Sequence, residues 1–405
     1  MNGLQTNQDL PSIRPENVDA LVEILSGANA DGTKVEVTGG GTKRTLGDAV
    51  IADAVLDLSG YSGIELYEPE ELVIRVRAGT SLGEVRETLA AKNQHLGFEP
   101  PSYARFFGGP AGSDTIGGII ACNLGGPRRI QAGAPRDAIL GVEGVNGRGE
   151  FFKGGGRTVK NVTGYDVPKL MTGSFGVLAA LTTVTLKVLP AFPHEVTLLL
   201  SGLDDVSATE LLGDILRAPA DISGAAHLGG SHRDAPVTAL RLDGFADTVA
   251  AHEDEVRSRL RTKADIKKIV DAESRHFWRE LRDLSSFSED QDACVWRLML
   301  PNTHAAKVVE AVGGEAIYDW GGSLVFLRME AREAEARARA LRTMVGKVGG
   351  SACLFRGPPA LRREIGTFQP RTRGLSQLGE RVRQMFDPNA ILNPGKLGAA
   401  VVSGA

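Results

Sequence analysis

The chain has 405 residues, a net charge of −4, 50 glycines and three cysteines. That length allows two or three domains with real cores, and the acidic balance gives no electrostatic reason to expect nucleic acid. Cys122, Cys294 and Cys353 are too few and too far apart for a disulfide framework, a zinc site or an iron–sulfur cluster, so any such cluster working with this chain sits on another polypeptide.

From the N-terminus, residues 1–15 are polar and lack the apolar core of a signal peptide, and no later run approaches the length of a membrane span. The expectation is a cytoplasmic chain. A helix is expected at 17–26 and a strand at 34–38. Directly after that strand come Thr38, Gly39, Gly40, Gly41, Thr42 and Lys43. Residues without Cβ let backbone N–H groups converge on an anion, and the Thr42 hydroxyl and Lys43 ammonium can add to the charge compensation. The alternative is a tight turn with no ligand. Residues 44–48 show no helical run, which argues against a dinucleotide loop of the Rossmann type, and no nucleoside triphosphate motif is present.

Strands are then expected at 54–58 and 72–77. Ser81, with Glu84 three residues on, opens a helix in the manner of a capping box. A second glycine cluster follows, Thr115, Ile116, Gly117 and Gly118, leading into Ala121, Cys122 and Asn123. Paired with the first, it reads as the other half of a divided phosphate cradle. Strands at 139–145 and 177–189 complete an α+β segment rich in glycine turns.

Pro190 and Pro193 mark a boundary. Beyond it strands are expected at 195–200, 237–242, 294–300, 323–329 and 351–355, with helices at 208–217, 245–261, 303–312 and 331–347. Alternation of this kind suggests an antiparallel sheet with helices on one face. A helix at 376–386 precedes a tail containing Pro388, Asn393, Pro394, Gly395 and Lys396, in which two prolines and a glycine forbid a regular element. The division expected is therefore 1–192, 193–362 and 363–405.

The second cluster continues into Leu124, Gly125, Gly126, Pro127, Arg136 and Asp137. Then come Lys160, Asn161, Val162, Thr163, Gly164, Tyr165 and Asp166, and Gly173, Ser174, Phe175, Gly176, Val177 and Leu178. In this order the set resembles the PCMH-type FAD-binding domain of the vanillyl-alcohol oxidase family. The resemblance covers about residues 15–190, with Asn393 to Lys396 similar to the family's C-terminal return to the flavin. It implies an α+β fold: a two-subdomain FAD-binding domain plus an α+β cap domain with an antiparallel sheet. It also implies that Thr38 to Lys43 and Thr115 to Gly118 hold the pyrophosphate and that Ala121, Cys122 and Asn123 run beside the isoalloxazine ring. Pro100, Gly176, Val177, Asn393 and Lys396 complete the implied cofactor set. Covalent attachment in this family commonly uses a histidine just after the first glycine loop. Thr42, Lys43 and Arg44 stand there, so non-covalent FAD is expected.

Within the family the chain most resembles the smaller FAD-binding subunits of bacterial glycolate oxidase complexes, through Gly126, Pro127, Arg128 and Arg129 and the run 160–166. That implies a larger FAD-linked catalytic subunit and an iron–sulfur subunit as partners, a small 2-hydroxy acid as substrate, and contact with the inner membrane only through those partners. The alternatives are a stand-alone FAD-dependent oxidase of another alcohol, or a non-catalytic assembly subunit that keeps the fold. Stand-alone D-2-hydroxyacid dehydrogenases of the family carry a His-x-Gly-Asp-Gly-Asn-x-x-His run that this chain lacks.

Oxidising a hydroxy acid needs a base at the hydroxyl and a cation for the carboxylate. No catalytic residue is assignable, and no metal site is expected. His227 and His232 lack an acidic third ligand and read as a strand end and an exposed turn; His276 reads as helix packing and His95 as a helix-end cap. Arg128 and Arg129 are the substrate candidates: a guanidinium fits a carboxylate or a phosphate, but equally a salt-bridged loop or a subunit contact. Arg297 and Arg328 alternate with apolar residues on expected strands and either line a site or face solvent.

Overall fold

The computed structural model describes residues 10–157, 164–230, 235–260, 265–330 and 334–398. They form two compact units. The first is built from the chain up to Leu124, Ala134–Ala191 and the chain from Pro370 on; the second from Gly125–Gly133 and Phe192–Gln369. The stretch 125–133, expected with the glycine-rich half, thus belongs to the second unit, and the segment from Pro370 returns to the first.

In the first unit a three-stranded parallel sheet, ordered Ser12–Ile13, Ala54–Asp57, Val35–Thr38, is covered by the helix Val18–Asp31. Asn17 caps that helix by accepting from Ala20 N, and Gly32 ends it at φ 75°. Leu21, Leu25, Val35 and Leu56 form its core together with Ile391 and Leu392 of the tail. A six-stranded antiparallel sheet runs Ile64–Glu68, Val73–Arg77, Ala179–Pro190, Ile139–Asn146, Phe151–Gly155, with Gln94–Leu96 also paired to Ala179–Pro190. Ser81 caps the helix Leu82–Ala90 by accepting from Glu84 N at 3.0 Å. The short helix Ile116–Cys122, hidden in sequence by its glycines, starts at Thr115.

The second unit is an eight-stranded antiparallel sheet, ordered Ile266–Val270, His194–Ser201, Val237–Gly244, Ile222–Leu228, Glu315–Asp319, Leu324–Met329, Cys294–Met299, Ser351–Arg356. Val196, Leu198 and Leu200 pack with residues of the helices Asp205–Ile215 and Ala246–Arg259. Strand alternation sends Thr197 to the opposite face, where it bonds Ser274 (2.7 Å) and Trp278 Nε1 (2.7 Å) of the helix Asp271–Arg282. Helices therefore lie on both faces of this sheet, not on one.

Candidate functional site

Both glycine loops lie in the first unit and touch. A Cβ on Gly40 would stand 1.6 Å from Ser113 O, and one on Gly39 would stand 2.4 Å from Thr115 Oγ1. The first loop leaves the strand Val35–Thr38 and the second enters the helix Ile116–Cys122, so only residues without side chains let the two backbones meet. Gly117 is equally constrained: its N–H donates to Ala78 O at 2.8 Å, and a Cβ there would lie 2.7 Å from Ala78 Cβ.

Together they open a groove of about 770 Å³, open solvent at its mouth included. Thr38, Gly39, Gly40, Gly41, Thr42, Lys43, Thr115, Gly117, Gly118, Ala121, Cys122, Gly176, Asn393 and Lys396 line it, as do Glu36, Val37, Arg44, Leu58, Ala78, Phe175, Ala179 and Leu181. Pro100, Ile116, Asn123 and Val177 do not. Pro100 is buried elsewhere, accepting from Arg86 Nη2 at 2.6 Å. Ile116 and Val177 belong to the core. Asn123 ends its helix at φ 51° and accepts from Arg136 N. Of the apolar liners missed from the sequence, Val37, Ala179 and Leu181 lie on strands whose facing was not legible, Leu58 and Ala78 just past strand ends, and Phe175 in the turn before the strand Ala179–Pro190.

The side chains of Thr42 and Lys43 do not add charge to the groove as expected. Both are buried and turned onto Asp114: Lys43 Nζ donates to Asp114 Oδ1 and to Thr42 Oγ1 (2.9 Å), and Thr42 Oγ1 donates to the same carboxylate at 2.8 Å. Ser102 Oγ donates to Asp114 Oδ2 at 2.6 Å. Burial pushes the Asp114 carboxyl up, but the Lys43 ammonium and these hydrogen bonds outweigh it and hold it below the usual carboxylate range. Arg44 is likewise clamped two-pronged to Glu36, at 2.5 and 3.1 Å. The formal charges of the loop cancel in pairs. Its backbone N–H groups from Gly39 to Lys43, by contrast, donate to no acceptor among the described residues. Such a row of donors suits an oxyanion and matches the pyrophosphate expected from the glycine pattern.

The tail fixes the opposite wall. Asn393 Oδ1 accepts from Val37 N at 2.7 Å while its Nδ2 donates to Phe175 O at 2.8 Å, and Leu392 pairs with Val35. Lys396 Nζ donates to Arg44 O at 2.6 Å. Asp387 accepts from Ile391 N and Leu392 N, both at 2.9 Å, which bends the tail back toward the strand. Burial pushes the Cys122 thiol up, against the milder pull of Lys43 and Lys396, and keeps it protonated.

Neither substrate arginine lies in this groove. Arg128, in the second unit, ion-pairs with Asp243 and with Glu195 (3.4 Å), so it is a salt-bridged loop residue and not a free carboxylate receptor. Arg129 stacks on Trp320 with its guanidinium carbon 4.6 Å from the ring centroid, and Arg297 lies 5.4 Å from the same ring. Arg328 pairs with Glu315 at 2.9 Å. His227 lies, as expected, near the end of the strand Ile222–Leu228, where it is fully buried and bonded to Thr238 Oγ1 (2.9 Å) and Asp205 Oδ1 (3.2 Å). His95 lies on a strand, with Nδ1 at 2.7 Å from Leu96 O. Lys160, Asn161, Val162, Thr163 and His232 lie outside the described residues. Among the described residues no cluster of three or more His, Cys, Asp or Glu is placed to hold a metal ion.

A family model for an FAD binding domain matches residues 12–155. The glycolate oxidase subunit GlcE of Escherichia coli (strain K12) is 30% identical over 385 residues, 94% of this chain and 97% of that protein. A D-lactate dehydrogenase of Archaeoglobus fulgidus is 33% identical over 179 residues, 44% of this chain and 38% of that protein. Among solved structures, an alkyldihydroxyacetonephosphate synthase superposes with a TM-score of 0.67 over 95% of this chain and 75% of its own, at 12% identity, a likeness of fold alone. With the paired glycine loops and the groove between them, these matches establish that the chain belongs to the PCMH-type FAD-binding flavoprotein family of the glycolate oxidase subunit GlcE.

Proposed function

We propose that this chain is the FAD-carrying subunit of a complex that oxidises a 2-hydroxy acid, glycolate or a near relative, and that it takes part in passing electrons to partner chains. The observation that carries this reading is the row of N–H groups from Gly39 to Lys43, set beside Gly118 in a groove where the side chains of Lys43 and Arg44 are already paired with Asp114 and Glu36. The diphosphate of FAD would be matched there by backbone donors, with Thr38 and Thr115 at the loop edges. Val37, Leu58, Ala78, Ala179 and Leu181 would exclude water from the wall, and Ala121, Cys122 and Gly176 would flank the cofactor. Bound FAD supplies a hydride acceptor for oxidation at a carbinol carbon. Asn393 and Lys396 act on that site by holding its loops in place.

Non-covalent binding is supported by two features of the groove. No histidine follows the first loop, and a thiol kept protonated by burial is a poor nucleophile toward a flavin ring. A chain precipitated with acid should release all its flavin into the supernatant; flavin retained in the pellet would contradict it.

The hydride step on the hydroxy acid is assigned to a larger FAD-linked partner, with an iron–sulfur partner completing the electron path. Arg128, the arginine best suited by sequence to a carboxylate, is committed to Asp243 and Glu195, which favours this division. Anaerobic mixing of the isolated chain with glycolate or D-lactate tests it: the flavin band should persist, and rapid bleaching would move the chemistry onto this subunit. We place the assembly in the cytoplasm, meeting the inner membrane only through its partners; among the described residues no helix is long and apolar enough to cross a membrane.

A further inference from the structure

Asp114 stands at the junction of the two half-cradles without entering the groove. It is 1% exposed and does not line the cleft, whereas Thr42 and Lys43, which bond to it, do. Its chain neighbours are the residues that meet the first loop: Ser113, whose carbonyl oxygen lies against Gly40, and Thr115, whose Oγ1 lies against Gly39. Asp114 is itself fixed at two points. Its carbonyl accepts from Leu82 N at 2.8 Å, at the start of the helix Leu82–Ala90, and its carboxylate accepts from Ser102 Oγ at 2.6 Å. The first loop is held internally by turn bonds, Arg44 N to Gly41 O at 3.2 Å and Leu46 N to Lys43 O at 3.1 Å, and Thr42 Oγ1 and Lys43 Nζ tie it to Asp114.

Two effects of that carboxylate on a bound diphosphate oppose each other. Its field repels the ligand and withholds the Lys43 cation from it, so on charge alone a neutral residue at position 114 would tighten binding. Against this, a buried ion pair often adds little net stability, and a row of amides serves an oxyanion only when its N–H groups converge. We infer that Asp114 is the positioning residue of the cradle: it fixes the amides of the first loop against the second, and Lys43 acts on the diphosphate through Asp114 and not by direct contact. The inference rests on the reading of the groove as the seat of FAD.

The test is the FAD affinity of the full, flavin-free chain, read by ultrafiltration as retained against free FAD, with the folded fraction and melting temperature of each variant measured alongside. Asp114→Asn keeps the shape and removes the charge, and should weaken FAD binding by the folded fraction about tenfold or more. Lys43→Met should weaken it too, yet add less than about twofold in the Asp114→Asn background, because both substitutions remove the same tie. Equal or tighter binding by Asp114→Asn would overturn the inference, since the field of the carboxylate would then outweigh its positioning. A lower melting temperature with wild-type affinity in the folded fraction would also overturn it, as the sign of a purely structural Asp114. So would full additivity of the two substitutions, the sign of a direct contact between Lys43 and phosphate. Where Asp114→Asn does not fold, Ser102→Ala decides: loss of one donor to the same carboxylate should weaken FAD binding about threefold, and unchanged affinity overturns the inference. A wild-type chain that retains no FAD refutes the FAD reading itself, whereas wild-type binding matched by the variants refutes the positioning role alone.

Discussion

In the first unit Lys43 pairs with Asp114 and Arg44 with Glu36 beside the groove, and the backbone donors from Gly39 to Lys43 find no acceptor among the described residues. In the second unit Arg128, Arg241, Glu195 and Asp243 are gathered onto one sheet face, with Arg241 stacked 4.6 Å from Trp278 and Ser223 and Ser274 bonding the two carboxylates. Burial pushes the Glu195 carboxyl up despite the opposing pull of Arg241 and Arg128. Abundant charge therefore marks the part of this molecule that folds on its own polar network. Paucity of net charge marks the part built to receive something. A buried ion-pair cluster reads as architecture, whereas a row of unpartnered amides reads as a receptor.

Substitutions can break that contrast, and the largest effect falls in the second unit. Arg128→Ala leaves the buried Asp243 and Glu195 with Arg241 alone of that cluster's two arginines and should cost about 3–5 kcal/mol in urea unfolding. The flavin content of the folded fraction should not change; a loss of flavin at unaltered stability would make Arg128 part of the receptor after all. Gly40→Ala acts in the opposite sense. Its Cβ must displace the Ser113 carbonyl, so about 3 kcal/mol of stability and most of the bound flavin should go together, read by melting temperature and the visible flavin band. Gly27→Ala, in the helix Val18–Asp31 with open space around its Cβ, is the control and should gain about 0.5–1 kcal/mol.

Asn393→Ala sharpens the role of the tail. It removes the acceptor for Val37 N and the donor to Phe175 O, and should cost about 2 kcal/mol with weaker flavin retention in gel filtration. The smallest effect is on acid unfolding. Because Asp114 is held below its ordinary value of about 3.9, its contribution is complete above that pH and is lost as pH falls through the lower folded value. The stability of Asp114→Asn should therefore vary with pH below about 4 more shallowly than that of wild type, by at most one bound proton.

Much of this was legible in the sequence where local chemistry decides. Ser81 announces its cap and the two glycine clusters their close turns on their own, and the strands Val35–Thr38 and Ala179–Pro190 show in their β-branched and apolar runs. What stayed hidden depends on partners far along the chain. Thr42 and Lys43 looked like phosphate ligands because Asp114, some seventy residues on, is invisible at their position. Arg128 looked available because Asp243 lies 115 residues away in sequence, and burial of Pro100, Ile116 and Val177 is settled by packing. The strands Ile64–Glu68, Phe151–Gly155, Ile222–Leu228 and Glu315–Asp319, short or glycine- and alanine-bearing, carry too little pattern to stand out before their neighbours pair with them.

The most direct test of the central claim is the flavin-to-protein ratio of the purified chain after loading with FAD and gel filtration, measured beside Gly40→Ala and Arg128→Ala. Wild type and the folded fraction of Arg128→Ala should each retain close to one FAD per chain, released on denaturation, and Gly40→Ala almost none. A wild-type chain that emerges colourless, or a Gly40→Ala chain that keeps its full complement, would contradict the assignment of the paired glycine loops as the cofactor's seat.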